Sequence, residues 1–180
     1  MTIFFVILGI IIVFAIITYN NLVRSDEMVS NAMAQIAAQV ESRWDALRNL
    51  MDATKHYSDF ELAAFEKITQ NRSAINKKST PTEVEKDDEA FAGAMRSFYA
   101  VAENYPDLKS SELYKDTMAS INKYEDNVRH SRMIYNDTVT KFNRSIKTFP
   151  QNLFAGMLGF SEKEYFANDA SKVDAPRFSD

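Results

Sequence analysis

The hydrophobic pattern divides the chain into an unbroken apolar segment at its start and a long remainder with periodic apolar positions. Residues 3–19 read IFFVILGIIIVFAIITY, and the first charged residue is Arg24. As a helix this segment is about 25 Å long, near the lower limit for crossing a hydrocarbon core of about 30 Å. Tyr19 ends it, where aromatic rings settle among the headgroups. Residues 1–19 are therefore predicted to be a transmembrane anchor that contacts the lipid bilayer through residues 3–19.

A cleaved signal peptide is the alternative interpretation of the same segment. Signal peptides carry a basic n-region and a cleavage site of small residues. Here Met1 and Thr2 precede the apolar run, and residues 16–20 (IITYN) offer no such site. We therefore expect an uncleaved, single-pass anchor in the cell (inner) membrane. Because Arg24 follows the anchor and no basic residue precedes it, the positive-inside rule favours a cytoplasmic C-terminal domain.

After the anchor, the apolar positions recur with helical spacing. One series steps by three or four: Val29, Met33, Ile36, Val40, Trp44, Leu47 and Met51. The polar residues between them are expected on the other faces: Gln35, Gln39, Glu41, Arg43, Asp45 and Arg48. A second series is longer: Tyr114, Met118, Ile121, Tyr124, Val128, Ser131, Tyr135, Val139, Phe142, Ile146 and Phe149. The two helices should pack along each other, with Trp44 buried against Tyr124, Tyr135 or Phe142.

Capping signals and prolines predict where the remaining helices begin and end. Capping boxes at residues 58–61 (SDFE) and 80–83 (TPTE) each start a helix, with residues 71–79 as a polar connection. The second of these helices should end at Tyr105, and Pro150 should end the last long helix. The aromatic residues after Gly159 are expected to fold back onto the bundle: Phe160, Tyr165 and Phe166. The predicted fold is all-α, with a helical bundle over residues 20–166 and a disordered tail over residues 167–180.

Charge and cysteine content narrow the chemistry of this domain. The chain of 180 residues has 21 Lys and Arg against 25 Asp and Glu, a net charge of −4. A mildly acidic domain gives no electrostatic reason to bind nucleic acid. Because the chain has no cysteine, disulfides, thiolate nucleophiles and cysteine-based metal sites are excluded.

Several short motifs follow one another in a specific order along the chain. After the anchor come residues 19–23 (YNNLV), then Ala34-Gln35-Ile36 with Gln39, Arg43, Asp45, Leu47, Asn49 and Leu50. Residues 105–109 (YPDLK), 135–137 (YND), 149–155 (FPQNLFA) and 159–160 (GF) complete the series. Together they resemble the LemA family of bacterial single-anchor membrane proteins. Met33, Trp44 and Arg48 depart from its usual tryptophan, tyrosine and proline. The resemblance implies a long antiparallel helical bundle on a membrane anchor, and no particular chemistry.

No residue is predicted to be catalytic, to bind a cofactor or to ligate a metal. His56 and His130 lie in no metal-binding motif, and His130 is expected to be a half-exposed structural residue. The acidic run of residues 83–89 begins a helix, where it complements the helix dipole. No glycine-rich phosphate loop or nucleophile motif occurs.

Polar residues inside the LemA-like motifs have two interpretations. They lie along the two long helices: Asn20, Gln35, Gln39, Arg43, Asp45 and Asn49 on the first, and Asn127, Arg132, Asn136, Asp137 and Asn143 on the second. They could form interhelical hydrogen bonds that set the register, for example Arg43 with Asp137 or Asp45 with Arg132. Alternatively they form a contact surface for another protein or protomer. We favour the first interpretation.

The sequence predicts a non-enzymatic, membrane-anchored scaffold or interaction protein that forms homo-oligomers. An unidentified membrane or cytoplasmic protein is its expected partner. One alternative is an enzyme whose carboxylates converge only in the folded chain. Another is a membrane-bound sensor, which requires a ligand-sized cavity between helices.

Overall fold

The computed structural model describes residues 1–54 and 74–167. Within these residues the elements are all helical: α1 (Thr2–Thr54), α2 (Pro81–Glu103), α3 (Pro106–Ser110), α4 (Glu112–Lys147) and α5 (Asn152–Ala155). The predicted all-α fold is confirmed. The expected helix start at residues 58–61 lies outside the described residues, as do residues 168–180 of the expected tail.

Helix α1 joins the apolar segment to the bundle without a break. It has 53 residues and is therefore about 80 Å long. Its first part is apolar and long enough to cross a membrane, and nearly all side chains of residues 2–17 are exposed. In a soluble core helix those side chains would be covered by protein. The segment is thus a candidate membrane anchor.

Helices α1 and α4 pack antiparallel and form most of the core. Gln39 of α1 accepts a 3.1 Å hydrogen bond from Asn127 of α4, and the buried residues of both helices belong to one hydrophobic core. On α1 they include Leu22, Val29, Met33, Ile36, Val40, Trp44, Leu47 and Leu50. On α4 they are Ile121, Val128, Ser131, Tyr135, Val139, Phe142, Asn143 and Ile146. The predicted α4 series is confirmed at its centre, whereas Phe149 at its end is 74% exposed.

Helix α2 begins at the predicted capping box. The hydroxyl of Thr80 accepts from the Glu83 amide at 3.3 Å, and the Glu83 carboxylate accepts from the Thr80 amide at 2.8 Å. These reciprocal bonds satisfy two amides that the first helical turn leaves free. The helix runs antiparallel to α4, because Phe98 near its end stacks on Tyr114 near the start of α4. It ends at Glu103, two residues before the predicted end.

The segment after Gly159 folds back onto the bundle, as the sequence predicts, and the structure shows that it runs along α4. The φ angle of Gly159 is 81°, a left-handed conformation that residues with a Cβ rarely adopt. Phe166 is buried and Phe160 packs against the core, so both fold back onto the bundle. Tyr165 lies in the same segment but is 47% exposed, so it does not join the core.

Candidate functional site

A buried arginine on α1 forms the centre of a charged network between the helices. Arg43 is only 1% exposed. Its guanidinium donates to Asp87 at 3.0 Å, to Asp88 at 3.1 Å and to Glu125 at 2.9 Å. Asp87 and Asp88 lie on α2 and Glu125 lies on α4, so one side chain links three helices.

Trp44, the residue after Arg43 on α1, binds the carboxylate of Asp87 as well. Its indole N–H donates to both carboxylate oxygens of Asp87, at 3.2 and 3.0 Å. The ring of Trp44 packs edge-on against Phe91 with 5.0 Å between centroids. The Arg43 guanidinium lies 4.3 Å from the centre of the same phenylalanine ring, within cation–π range. Asp87 is thus fully buried with both of its oxygens occupied.

Arg132 of α4 extends the network towards the C-terminal segment. It forms an ion pair with Asp88, the carboxylate that also contacts Arg43. Its guanidinium carbon lies 4.9 Å from the centre of the Phe166 ring. The network therefore contains two bases and three acids, and it connects α1, α2, α4 and the returning segment.

Two asparagines of α4 bind the backbone of that segment. The Asn143 side chain donates to the Lys163 carbonyl and accepts from the Lys163 amide, both at 2.9 Å. Asn136 does the same with Phe166, donating at 3.1 Å and accepting at 2.9 Å. Each amide side chain thus satisfies both the N–H and the C=O of one backbone residue. This pairing holds residues 163–166 against α4.

A groove of about 530 Å³ lies beside the network, between α2 and α4. Its lining combines apolar and charged groups, among them Phe91, Met95, Arg129, Arg132 and Phe166. The Nε atoms of Arg43 and Arg132 are buried and have no hydrogen-bond partner among the described residues. The groove is large enough for a small ligand.

The arrangement favours structural electrostatics over metal binding. Asp87, Asp88 and Glu125 all pair with Arg43, whose positive charge compensates these carboxylates. Across residues 1–54 and 74–167, no three His, Asp or Glu side chains are grouped to hold a metal ion. His130 is exposed on α4, and His56 lies outside the described residues.

The pKa values of two tyrosines are raised, one of them buried (Tyr135) and the other partly buried (Tyr114). Burial, and secondarily the charge of Glu164, raises the pKa of Tyr135 above its ordinary value. Burial, and secondarily Tyr99, does the same to the pKa of Tyr114. Both shifts favour the neutral phenol, because a buried phenolate would lose its hydration.

Several expectations about the polar residues need correction. The sequence predicts Arg43 on an outward face, and it is buried instead. Its partners are on α2 and α4 at Asp87, Asp88 and Glu125, so the suggested pairing with Asp137 is wrong. Arg132 pairs with Asp88 and not with Asp45. The general expectation of interhelical polar bonds is confirmed by Gln39 with Asn127.

The aromatic partner of Trp44 also differs from the expected one. Trp44 is 2% exposed, which confirms that it is buried. Its ring contact among the described residues is Phe91 of α2, rather than Tyr124, Tyr135 or Phe142 of α4. Arg48 is exposed as predicted.

The sequence contains a signal for the charged network that the predictions missed. Asp87 lies three residues after Val84 and four before Phe91, so it occupies a position of the apolar series of α2. Arg43 lies in the same way between Val40 and Leu47. A charged residue at a core position of a helix predicts a buried partner of opposite charge.

Comparison with known proteins decides the family. The profile of the LemA family matches residues 32–179. The chain belongs to the LemA family. The LemA match includes the whole charged network and the groove. Protein LemA of Metamycoplasma hominis is 32% identical over 160 residues, which cover 86% of this chain and 72% of that relative.

A shorter similarity connects this LemA-family chain to magnetosome proteins. Magnetosome protein MamQ 2 of Paramagnetospirillum magneticum is 35% identical over 79 residues. Magnetosome protein MamQ of Magnetospirillum gryphiswaldense is 32% identical over 79 residues. In both cases the match covers 44% of this chain and 29% of the relative. The similarity is thus confined to part of each protein.

Proposed function

We propose that this LemA-family protein is a non-enzymatic scaffold that is anchored in the cell membrane and self-associates there. The observation that carries the proposal is the continuity of α1 from the apolar segment into the bundle. Because no loop separates the two, copies in one bilayer hold their bundles upright and side by side. Confinement of this kind raises the effective concentration of one bundle near another.

The chemistry of the bundle interior supports a structural role. The buried charges of Arg43 and Asp87 engage each other, and the indole N–H of Trp44 contacts both oxygens of Asp87. A catalytic carboxylate or base instead needs an approach for substrate. We place the bundle on the cytoplasmic side, on the strength of Arg24 following the anchor, and expect it to bind a further protein partner there.

Self-association is tested with the full chain in liposomes. Since the chain has no cysteine, Leu113→Cys introduces a single labelling site on an exposed position of α4. Donor- and acceptor-labelled chains are reconstituted together at increasing ratios of lipid to protein, and energy transfer between the labels is measured at each ratio. We expect energy transfer to remain above the level calculated for chains that are distributed at random in the bilayer, even at high ratios of lipid to protein. Transfer that falls to the random level at every lipid ratio would contradict the proposal.

The groove between α2 and α4 favours a second candidate function, a sensor for a small anionic ligand. The guanidinium of Arg132, which is partly exposed, lines the groove and places a positive charge beside an apolar wall, where it could bind a ligand oxygen. Trp44 is the one tryptophan in the chain and lies one hydrogen bond from the network, so its fluorescence reports occupancy. A saturable change with inorganic phosphate or a small carboxylate, abolished by Arg132→Gln, would support the sensor. If neither anion changes the fluorescence, the sensor is contradicted and the scaffold remains the proposed function.

A further inference from the structure

An uncharged stretch connects α4 to the returning segment. Between Lys147 and Glu162 the chain has no Asp, Glu, Lys or Arg. This stretch, residues 148–161, includes α5 and is called the apolar collar below. Four of its apolar side chains are exposed, to 74% at Phe149, 58% at Leu153, 86% at Met157 and 40% at Leu158.

The collar lies against the candidate anchor. Phe154 contacts Phe14 with 5.9 Å between ring centroids, and Phe160 contacts Tyr19 at 6.2 Å. Ala155 and Thr18 are both buried, where α5 packs on α1. The exposed apolar residues are therefore held beside α1 at the end of its apolar segment.

The position along α1 gives the depth of the collar. Tyr19 marks the predicted headgroup level, and Phe14 precedes it by five residues, or about 7.5 Å of helix rise. A side chain that contacts Phe14 thus lies below the headgroups, within the ~5–10 Å to which interfacial elements bury their apolar faces. An exposed apolar cluster of this kind would be unfavourable in water.

Ion pairs border the collar on the side away from the anchor. Lys147 pairs with Glu162 at 2.7 Å, and Lys163 pairs with Asp26 at 2.7 Å. All four residues are at least partly exposed. Charged groups remain in water or at the headgroups, so these pairs mark the boundary above which the bundle is aqueous.

We propose that the apolar collar inserts into the bilayer interface and forms a second membrane contact beside the transmembrane anchor. The occupant of the exposed apolar face is lipid, because that face continues the lipid-facing surface of α1 at the same depth. The inference rests on the proposed membrane anchoring of α1. Its consequence is that the bundle is tied to the membrane surface at two places.

The test uses the full chain in liposomes of phosphatidylcholine and phosphatidylglycerol, with one spin label per variant. Leu153→Cys and Met157→Cys place the label in the collar. Met133→Cys on α4, 62% exposed, is the matched aqueous control, and Ile12→Cys reports on the anchor. Collision rates are measured with oxygen, which concentrates in lipid, and with a water-soluble nickel chelate. Circular dichroism confirms that each variant is folded.

We expect the ratio of oxygen to nickel collisions at both collar positions to exceed that at Met133 several-fold, and to be lower than at Ile12. Collar labels that match Met133 while the Ile12 label is in lipid would overturn the inference and leave the anchor intact. If the Ile12 label is exposed to water as well, the result would instead contradict the anchoring on which the proposed function depends. Collar labels shielded from both agents, with spin–spin broadening between chains, would show that a second copy covers the face and would also overturn it.

Discussion

The guanidinium of Arg43 lies 3.0 Å from the carboxylate of Asp87, and the two side chains are 1% and 0% exposed. Both charges are thus removed from water and depend on each other for compensation. Desolvation makes such a pair a weak source of stability by itself, but removal of one partner leaves an uncompensated charge. The pair therefore links α2 to α1 inside the core.

Replacement of Arg43 should strongly destabilise the bundle. In Arg43→Met the carboxylate of Asp87 remains buried without its counter-charge, which costs about 3–5 kcal/mol of the free energy of unfolding. Denaturant titration of the detergent-solubilised chain, followed by circular dichroism, measures the loss. Arg48→Met is the control on the exposed face of the same helix and should change stability by less than about 0.5 kcal/mol. Equal effects of the two substitutions would contradict the buried network.

The double variant Arg43→Met, Asp87→Asn separates loss of the ion pair from loss of packing. With both charges removed, no carboxylate at this position is left buried without compensation, and the amide oxygen that replaces it still accepts from the Trp44 indole. We expect the double variant to be more stable than Arg43→Met alone. A double variant as unstable as the sum of both single variants would show that the two residues are energetically independent.

Trp44 should contribute through its ring and through its N–H. Trp44→Ala removes a buried aromatic side chain and should cost about 3–5 kcal/mol. Trp44→Phe keeps a ring against Phe91 but removes the donor to Asp87, and should cost about 1–3 kcal/mol for the carboxylate left with one partner fewer. Thermal unfolding monitored by circular dichroism gives the order wild type, Trp44→Phe, Trp44→Ala. A phenylalanine variant as stable as wild type would show that the indole hydrogen bond is without energetic effect.

The pattern of apolar residues predicted the helices well because burial of one face is repeated along each helix. Thr80 and Glu83 made the start of α2 predictable, since a capping box requires two residues at a fixed spacing. The partners of Arg43 were not predictable in the same way. Its ion pairs join residues from three helices, and helical spacing describes each helix alone. Likewise, the groove arises from how far α2 lies from α4, which neither sequence segment encodes by itself.

The side chain of Asn143 should control the attachment of the returning segment. Asn143→Ala removes both hydrogen bonds to the Lys163 backbone, which together contribute about 1–3 kcal/mol. The expected result is faster hydrogen exchange at the Lys163 amide and faster tryptic cleavage after Lys163. Asn122→Ala, at an exposed position of α4, is the control and should leave both rates unchanged. Unchanged protection in Asn143→Ala would indicate that other contacts hold the segment, such as the Asn136 bonds to Phe166 and the packing of its ring.

The raised pKa of Tyr135 predicts a loss of stability at alkaline pH. Unfolded tyrosine releases its proton near pH 10.0, whereas the folded protein retains the Tyr135 proton to higher pH. Between these two values the unfolded state binds fewer protons, so the free energy of unfolding falls as pH rises, and below about pH 10 this contribution is fully present. Tyr135→Phe should show a shallower alkaline decline, and Tyr165→Phe, at an exposed position, should match wild type. Identical declines in all three proteins would contradict a raised pKa.

The unbroken course of α1 also has a rotational consequence. Each residue of an α-helix turns the chain by about 100°, so the number of residues between Tyr19 and Leu22 fixes which side of the bundle faces any neighbour in the same bilayer. Inserting a single residue there would swing the bundle through more than a quarter turn relative to the lipid-embedded part. It would also move Tyr19 out of phase with Phe160. The number of residues in this short stretch therefore sets the rotation of the bundle about the axis of α1, and with it the face that the bundle presents to neighbouring proteins in the membrane.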